Sequence, residues 1–174
     1  MLIEKMPFLN ENEKKIILRR IRKLKKDPKS FFETSYKKRK NMLRERLPFK
    51  HNSEKLYTVV TAVYNSEKYL EDYFQSITSQ SLIFKKNIKI LCVDDGSTDR
   101  SAEIIKSWQL KYPDNIFYFY KENGGQASAR NIGLKNIDEK TDWVTFIDSD
   151  DFLPKNYFYE VDKSINKDKD IKLV

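Results

Sequence analysis

The sequence lacks the features that secreted and membrane proteins usually carry. Its 174 residues include one cysteine, which excludes an intramolecular disulfide framework and indicates a reducing compartment. No apolar run approaches the roughly 20 residues that a membrane-spanning helix needs. The opening segment "MLIEKMPFLNENEKK" contains neither an apolar signal core nor a small-residue cleavage site. We therefore expect a cytoplasmic protein.

Two common site signatures are also missing. No GxGxxG follows the first apolar run, which continues as "VYNSEK", and this excludes a nicotinamide dinucleotide site of the usual kind. The segment "DSDDF" lacks the Gly-Thr that should follow the second Asp in phosphatases with DxD after a strand. Cys92 lies in the apolar run "IKILCVDD", which is typical of a core residue rather than a nucleophile.

Positive charge is concentrated near the N-terminus. Residues 1–55 hold 18 Lys and Arg against 7 Asp and Glu, whereas residues 56–174 hold 16 against 19. This asymmetry predicts a basic N-terminal extension over residues 1–50 and a second domain over residues 51–174. Ile17, Ile21 and Leu24 fall on one helical face, so the extension is predicted to be helical.

The basic face of residues 11–46 has two interpretations. In the first, this face binds anionic lipid and holds the protein peripherally at the inner face of the cell membrane. In the second, it is a solvated helix face that binds nothing. Nucleic acid is not an expected partner, because the aromatic residues of this segment fall at helical core spacing rather than on a stacking platform.

From Tyr57 onward, short apolar runs alternate with amphipathic segments. The runs "LYTVVTAVY", "IKILCV", "NIFYFY" and "WVTFI" predict four strands, the last of which has the pattern of a buried strand. The helices between them are predicted to be capped by Asn65, by Ser97 or Thr98, and by a glycine turn. "EVDKSINKDKD" is interpreted as a solvated helix and loop, His51 as a linker residue, and "NKDKDIKLV" as the possible start of a further strand. This alternation predicts an α/β fold with a parallel sheet and helices on both faces.

Three carboxylates, Asp148, Asp150 and Asp151, follow the fourth predicted strand directly. Clustered carboxylates repel one another unless a positive group neutralises them, and Mg²⁺ or Mn²⁺ favours such oxygen ligands. The alternative is a loop in which one Asp caps the next helix and the others are solvated.

The four predicted strand ends carry "VYNSE", "DDGSTD", "KENGGQASAR" and "DSDD". Parallel strands bind ligands at their carboxyl ends, so these segments are expected to share one edge of the sheet. Together they offer an aromatic ring, paired carboxylates, a glycine turn with an arginine, and a candidate metal site.

These motifs resemble the family-2 glycosyltransferases, which have the nucleotide-sugar-binding GT-A fold. The matching segments are "VVTAVYNSEKYLEDYFQSITSQS", "ILCVDDGSTDRSAEII", "ENGGQASARNIGL" and "VTFIDSDDFL", in family order over about residues 56–160. The resemblance implies a GT-A (Rossmann-like) α/β fold with a parallel-centred sheet, incomplete at its C-terminus and preceded by the basic helical segment.

The resemblance also implies a donor site for a nucleoside-diphosphate sugar, most often one with UDP. Tyr64 would lie against the base and Asp95 would accept a hydrogen bond from it; ordinary packing and a turn bond are the alternatives. Gly124 and Gly125 would let the backbone approach the ligand. Arg130 would pair with Asp94 or Asp95, or approach the diphosphate.

Within "DSD", the resemblance implies that Asp150 ligates Mn²⁺ or Mg²⁺, while Asp148 holds the ribose or supports the metal. No residue of 161–174 matches the family's acceptor-activating base, so the catalytic residue is unknown and expected beyond residue 174. The chain is therefore interpreted as the donor-binding half of an enzyme that acts on a glycan or lipid-linked acceptor in surface polysaccharide assembly. The alternative is a catalytically incomplete nucleotide-sugar-binding module.

Overall fold

The computed structural model of the protein describes residues 50–167. The helical extension predicted over residues 1–50, apart from Lys50, lies outside the described residues, as does most of the candidate last strand. Within residues 50–167, no helix is both long and apolar enough to cross a membrane.

Strands and helices alternate along the described chain. The strands are β1 (Tyr57–Val63), β2 (Ile88–Asp95), β3 (Ile116–Lys121) and β4 (Trp143–Phe146). The helices are α1 (Leu70–Thr78), α2 (Phe84–Asn87), α3 (Ser101–Lys111), α4 (Gln126–Lys135) and α5 (Tyr157–Lys167).

The four strands form one parallel sheet in the order β3-β2-β1-β4. Tyr57 pairs with Ile88 on one side and Trp143 on the other, and Ile90 pairs with Ile116. The chain therefore moves outward from β1 to β3 and then returns to the other side of β1. The predicted α/β fold with a parallel sheet is confirmed, and its strand order reverses between β1 and β4.

Both faces of the sheet are covered, which explains the continuous apolar runs of β1 and β2. Helix α4 packs on β1 and β2, and it approaches so closely at Gly133 that a Cβ there would overlap Val60 Cγ1. Helices α1, α3 and α5 share the opposite face, where the main hydrophobic cluster lies. The largest fully buried side chains of that cluster include Tyr73, Phe74, Phe158, Leu70 and Ile77.

Strand β4 differs from the sequence prediction of a buried strand. It has only one neighbouring strand among the described residues, and Val144 and Phe146 are 39% and 45% exposed. Half-buried and exposed positions alternate along β4, so one face of this outer strand is open to solvent. Its apolar residues look like those of a central strand, so their sequence could not reveal the edge position.

The predicted helix caps were wrong in two places. Asn65 has a φ of +48° and its Oδ1 accepts a hydrogen bond from the Thr98 N–H, so it joins two loops instead of capping α1. Helix α3 begins at Ser101, whose N–H donates to Asp99 Oδ1 at 2.9 Å. The helix begins too late in the chain for Ser97 or Thr98 to cap it, and Asp99 instead accepts a hydrogen bond from the N–H of its first residue.

Asp162 and His51 correct two further predictions. Asp162 is buried within α5 rather than solvated, and it accepts hydrogen bonds from Ser53 Oγ and Tyr57 Oη, each at 2.6 Å. His51 Nε2 lies 2.8 Å from Asp162 Oδ2. His51 is thus part of a polar cluster near the start of β1, where Asp162 anchors the chain that leads into the sheet.

Candidate functional site

A cavity of about 650 Å³ opens at the carboxyl edge of the sheet, where the strand order reverses. Parallel α/β sheets bind ligands at this position. The residues around it come from the carboxyl ends of β1 and β2 and from the segments that follow β1, β3 and β4. They include Tyr64, Tyr69, Asp95, Gly125, Asp148 and Asp150.

The loop after β1 is fastened to its neighbours by short polar contacts. The Ser66 N–H donates to Ser101 Oγ at 2.9 Å, and Ser66 Oγ lies 2.7 Å from Ser149 Oγ across the β1–β4 crevice. Asn65 adds its contacts to Ser97 and Thr98. This loop presents Tyr64 with its side chain half-exposed at the cavity.

The two carboxylates that end β2 have different partners. Asp94 Oδ1 accepts from the Ser97 N–H at 2.8 Å, and its Oδ2 accepts from Tyr118 Oη at 2.9 Å. Asp94 therefore supports the loop after β2. Asp95 lines the cavity, where it accepts hydrogen bonds from the backbone N–H groups of Gly124 and Gly125 at 2.9 and 2.8 Å.

Asp95 also forms an ion pair with Lys121, whose side chain is largely buried. Burial alone raises the pKa of Asp95, but hydrogen bonds from Lys121, Gly124 and Gly125 outweigh that effect. Together with the charge of Lys121, they hold the pKa below its usual range. Asp95 is consequently an ionised acceptor at the cavity wall.

The glycine turn brings backbone rather than side chain to the cavity. Gly125 has a φ of +88°, which disfavours other residues, and no atom lies within 4 Å of where its Cβ would stand. Helix α4 begins immediately afterwards at Gln126, so its N-terminal N–H groups lie close to the same opening. Such a terminus favours a nearby anion.

Arg130 pairs with neither of the two carboxylates proposed from the sequence. Its Nη2 donates to Asp148 Oδ1 at 2.6 Å, and the same oxygen accepts from Gln126 Nε2 at 2.9 Å. The guanidinium also lies over the ring of Phe146, 5.4 Å from its centroid. Two residues of α4 thus orient the carboxylate that follows β4, because α4 packs against the centre of the sheet beside that strand end.

Asp148 and Asp150 offer a divalent cation an incomplete set of oxygen ligands. Among residues 50–167, no group of three or more His, Cys, Asp and Glu side chains could hold a metal ion. Asp150 is exposed at the cavity, and none of the described residues donates a hydrogen bond to its carboxylate. Two carboxylates beside an open cavity fit a Mg²⁺ or Mn²⁺ ion whose other ligands come from water or a bound phosphate.

The structure brings together most of the site residues predicted from sequence. Gly124 and Arg130 lie behind the cavity wall, where they contact Asp95 and Asp148. Sequence reasoning missed Lys121 and Gln126. The position of Lys121 could have been found from strand register, because Lys121 pairs directly with Asp95 across β2 and β3. Nothing in the sequence indicated that Gln126 reaches Asp148.

Comparison with known sequences identifies relatives of the described domain. The family model of glycosyl transferase family 2 matches residues 58–173. The minor teichoic acid biosynthesis protein GgaA of Bacillus subtilis is 40% identical over 106 residues, which are 61% of this chain and 24% of GgaA. Glycosyltransferase GlyA of Streptococcus pneumoniae is 43% identical over 108 residues, which are 62% of this chain and 15% of GlyA. The chain thus spans less than a quarter of the length of these two relatives.

The fold of this chain also resembles that of solved protein structures. The crystal structure of S. aureus TarS 1-349 matches with a TM-score of 0.58 at 30% identity, over 64% of this chain and 32% of that one. The same protein in complex with UDP-GlcNAc matches with a TM-score of 0.55 at 29% identity, over 64% and 31% of the two chains.

Proposed function

Because this chain belongs to glycosyl transferase family 2, we propose that its cavity binds a UDP-linked sugar and that the chain supplies the donor-binding part of a glycosyltransferase. The acceptor in this proposal is a growing surface glycan. The observation that carries the proposal is the convergence of all four strand ends, with their aromatic ring, carboxylates and glycine turn, on one cavity.

The nucleoside would lie between Tyr64 and Asp95. An ionised carboxylate accepts hydrogen bonds and cannot donate one, which suits the N3–H of uracil. The exposed ring of Tyr64 would pack against the base. The UDP-GlcNAc complex of TarS supports this choice of nucleotide, because that protein shares the fold at 29% identity.

The diphosphate would lie between the glycine turn and the "DSD" segment. Gly125 leaves room for close approach of backbone, and the N-terminus of α4 favours negative charge. Asp150, supported by Asp148, would hold Mn²⁺ or Mg²⁺. The bound cation would neutralise the two phosphates and stabilise the nucleotide as a leaving group. Arg130 would keep Asp148 oriented and offset the negative charge of that carboxylate.

A cell-surface polymer is the proposed acceptor. GgaA is named for minor teichoic acid biosynthesis, and GlyA is named as a glycosyltransferase.

Calorimetric titration with UDP-GlcNAc tests the donor site and its metal together. We expect binding in MnCl₂ to be tighter than in EDTA, and Asp150→Asn to remove that difference, because the variant loses the charge of the exposed ligand. Asp114→Asn is the matched control, since Asp114 is an exposed carboxylate just before β3, at the other edge of the sheet. Equal affinities in both buffers would overturn the metal assignment, and no binding in either would overturn the donor site.

Turnover separates an enzyme from a module that only binds the donor. The full chain would be incubated with sugar-labelled UDP-GlcNAc, with and without teichoic acid polymer. Slow release of free labelled sugar, with little or no label in the polymer, is the expected result for the donor-binding part of a glycosyltransferase, because none of the described residues is assigned as the base that activates the acceptor. Tight binding of UDP-GlcNAc without either product would favour the nucleotide-sugar-binding module.

A further inference from the structure

Lys121 lies behind the proposed base pocket and contacts the carboxylate of Asp95. It is the last residue of β3, and its partner in the adjacent strand is Asp95. Its Nζ forms an ion pair with Asp95 Oδ1 and also donates to the carbonyl oxygen of Glu122. The side chains of Lys121 and Asp95 are only 14% and 5% exposed, so solvent screens this pair weakly.

The contacts of Asp95 leave little of its carboxylate free. Oδ1 accepts from Lys121 and from the Gly124 N–H, while Oδ2 accepts from the Gly125 N–H. A carboxylate offers about four acceptor positions. The protein therefore uses three acceptor positions of Asp95, and the fourth, on Oδ2, is left for a ligand in the cavity that Asp95 lines. A ligand meets Asp95 as an acceptor for a single N–H.

We propose that Lys121 is a positioning residue that fixes Asp95 as an ionised, one-place acceptor and thereby makes the site select uracil over cytosine. This inference rests on the proposed function. Uracil carries a donor at N3, whereas cytosine carries an acceptor there. An ionised carboxylate attracts the first edge and repels the second, while a protonated carboxyl could donate to cytosine N3.

The charges around Asp95 explain why Lys121 is needed. Asp94 is adjacent in the chain, Glu122 follows Lys121, and Asp148 and Asp150 line the same cavity. All four are acidic and would favour protonation of Asp95, while the guanidinium of Arg130 is paired with Asp148. Among residues 50–167, Lys121 is the cation in direct contact with Asp95, and it acts in the same direction as the two glycine N–H groups.

Lys121 could instead serve only to tie the end of β3 to the glycine turn through Glu122. That role would weaken nucleotide binding equally at every pH and for both bases. A role through the charge of Asp95 instead makes the loss depend on pH, because Asp95 without Lys121 takes up a proton more readily. The pH dependence of base selection therefore distinguishes the two roles.

The experiment measures the affinities of the full chain for UDP-glucose and CDP-glucose between pH 4 and 8 at a fixed MgCl₂ concentration. These two probes differ only in the base, and their diphosphate diesters keep the same charge over that range. The variants are Lys121→Met, Lys121→Arg and, as a control, Lys85→Met. Lys85 belongs to α2, just before β2, and its Nζ lies over the ring of Tyr112. Asp95 is the last residue of β2, so Lys85 lies at the opposite end of that strand.

We expect the wild-type chain, Lys121→Arg and Lys85→Met to share one preference for UDP-glucose and one pH profile, in which any narrowing at the acid end reflects proton uptake by cytosine N3 itself; Lys121→Met should depart from that profile. In Lys121→Met the affinity for UDP-glucose should fall on acidification, by roughly tenfold per pH unit below the new pKa of Asp95. The affinity for CDP-glucose should hold or rise, so the preference narrows. A uniform loss at all pH values, or no loss, would overturn the inference while leaving the proposed function standing.

Two further outcomes keep the test decisive. If Lys121→Met fails to fold, as judged by its thermal transition, Lys121→Gln replaces it with the same expected narrowing of the preference. If the wild-type chain binds neither sugar nucleotide, the proposed function and this inference fall together.

Discussion

The contact between α4 and β1 makes a prediction whose size follows from the structure. A Cβ on Gly133 would stand less than 3.0 Å from Val60 Cγ1 and 3.4 Å from Val60 Cβ and Cγ2. Val60 is fully buried in the central part of the sheet and its β-branched side chain has few alternative rotamers. Gly133→Ala must therefore push α4 outward or strain Val60.

Overpacking of this kind costs about 1–3 kcal/mol, while alanine gains about 0.5–1 kcal/mol over glycine inside a helix. We expect Gly133→Ala to lower the free energy of unfolding by about 1–2 kcal/mol. Val60→Ala alone should cost about 2 kcal/mol through the cavity it leaves. In the double variant the new methyl occupies that space, so Gly133→Ala should then be neutral or stabilising.

Urea denaturation of the four chains measures this coupling, provided that the m-value stays constant. Lys135→Ala is the control, because Lys135 is exposed on the same helix and its substitution should stay within about 0.5 kcal/mol of zero. The same loss for Gly133→Ala in both backgrounds would refute the steric account. A second readout is donor affinity, since α4 also carries Gln126 and Arg130, which contact Asp148.

Two further predictions concern acid stability and lipid binding. Burial raises the pKa of Asp162, but hydrogen bonds from Ser53, Tyr57 and His51 outweigh it and hold the pKa below its usual range. The ionised Asp162 therefore stabilises the fold above about pH 4, and this stabilisation is lost as the pH falls through the lowered pKa. Asp162→Asn should lower the free energy of unfolding by about 3 kcal/mol at pH 7 and weaken its dependence on pH under acidic conditions, as measured by urea denaturation at several pH values. An unchanged dependence on pH would contradict this. For the basic segment of residues 11–46, which lies outside the described residues, we predict salt-sensitive co-sedimentation of the full chain with anionic but not neutral vesicles, at about 1 kcal/mol per basic residue near the surface. Sedimentation that is equal with both vesicle types would remove the lipid contact.

The sequence was most informative where a regular pattern decides the structure. Apolar runs separated by amphipathic segments predicted four parallel strands, and the structure contains them within one or two residues of the predicted limits. Because ligands bind at the carboxyl ends of such strands, the sequence alone predicts that Tyr64, Asp95 and Asp148 lie at one end of the sheet. The cavity confirms that these residues lie together, while their roles stay predictions.

Contacts between distant segments could not be predicted in the same way. Acidic residues follow several of the strands, so the sequence leaves more than one candidate partner for Arg130. The packing of α4 on the sheet decides that the partner is Asp148. Likewise, Asp162 follows a polar helix pattern in sequence, but its position over the start of β1 buries it among Ser53, Tyr57 and His51. Such contacts depend on how distant segments pack, so they cannot be predicted from the local sequence.

The parallel sheet separates two tasks along the length of one strand. Tyr57, at the start of β1, belongs to the buried Asp162 cluster, whereas Val63, at the end of the strand, lines the cavity. At about 3.3 Å per residue, some 20 Å lie between them. Sites that far apart usually contribute independently to stability. Substitutions that stabilise the amino end of the sheet could therefore compensate for destabilising changes at the carboxyl end, and the residues around the cavity could change without loss of the fold.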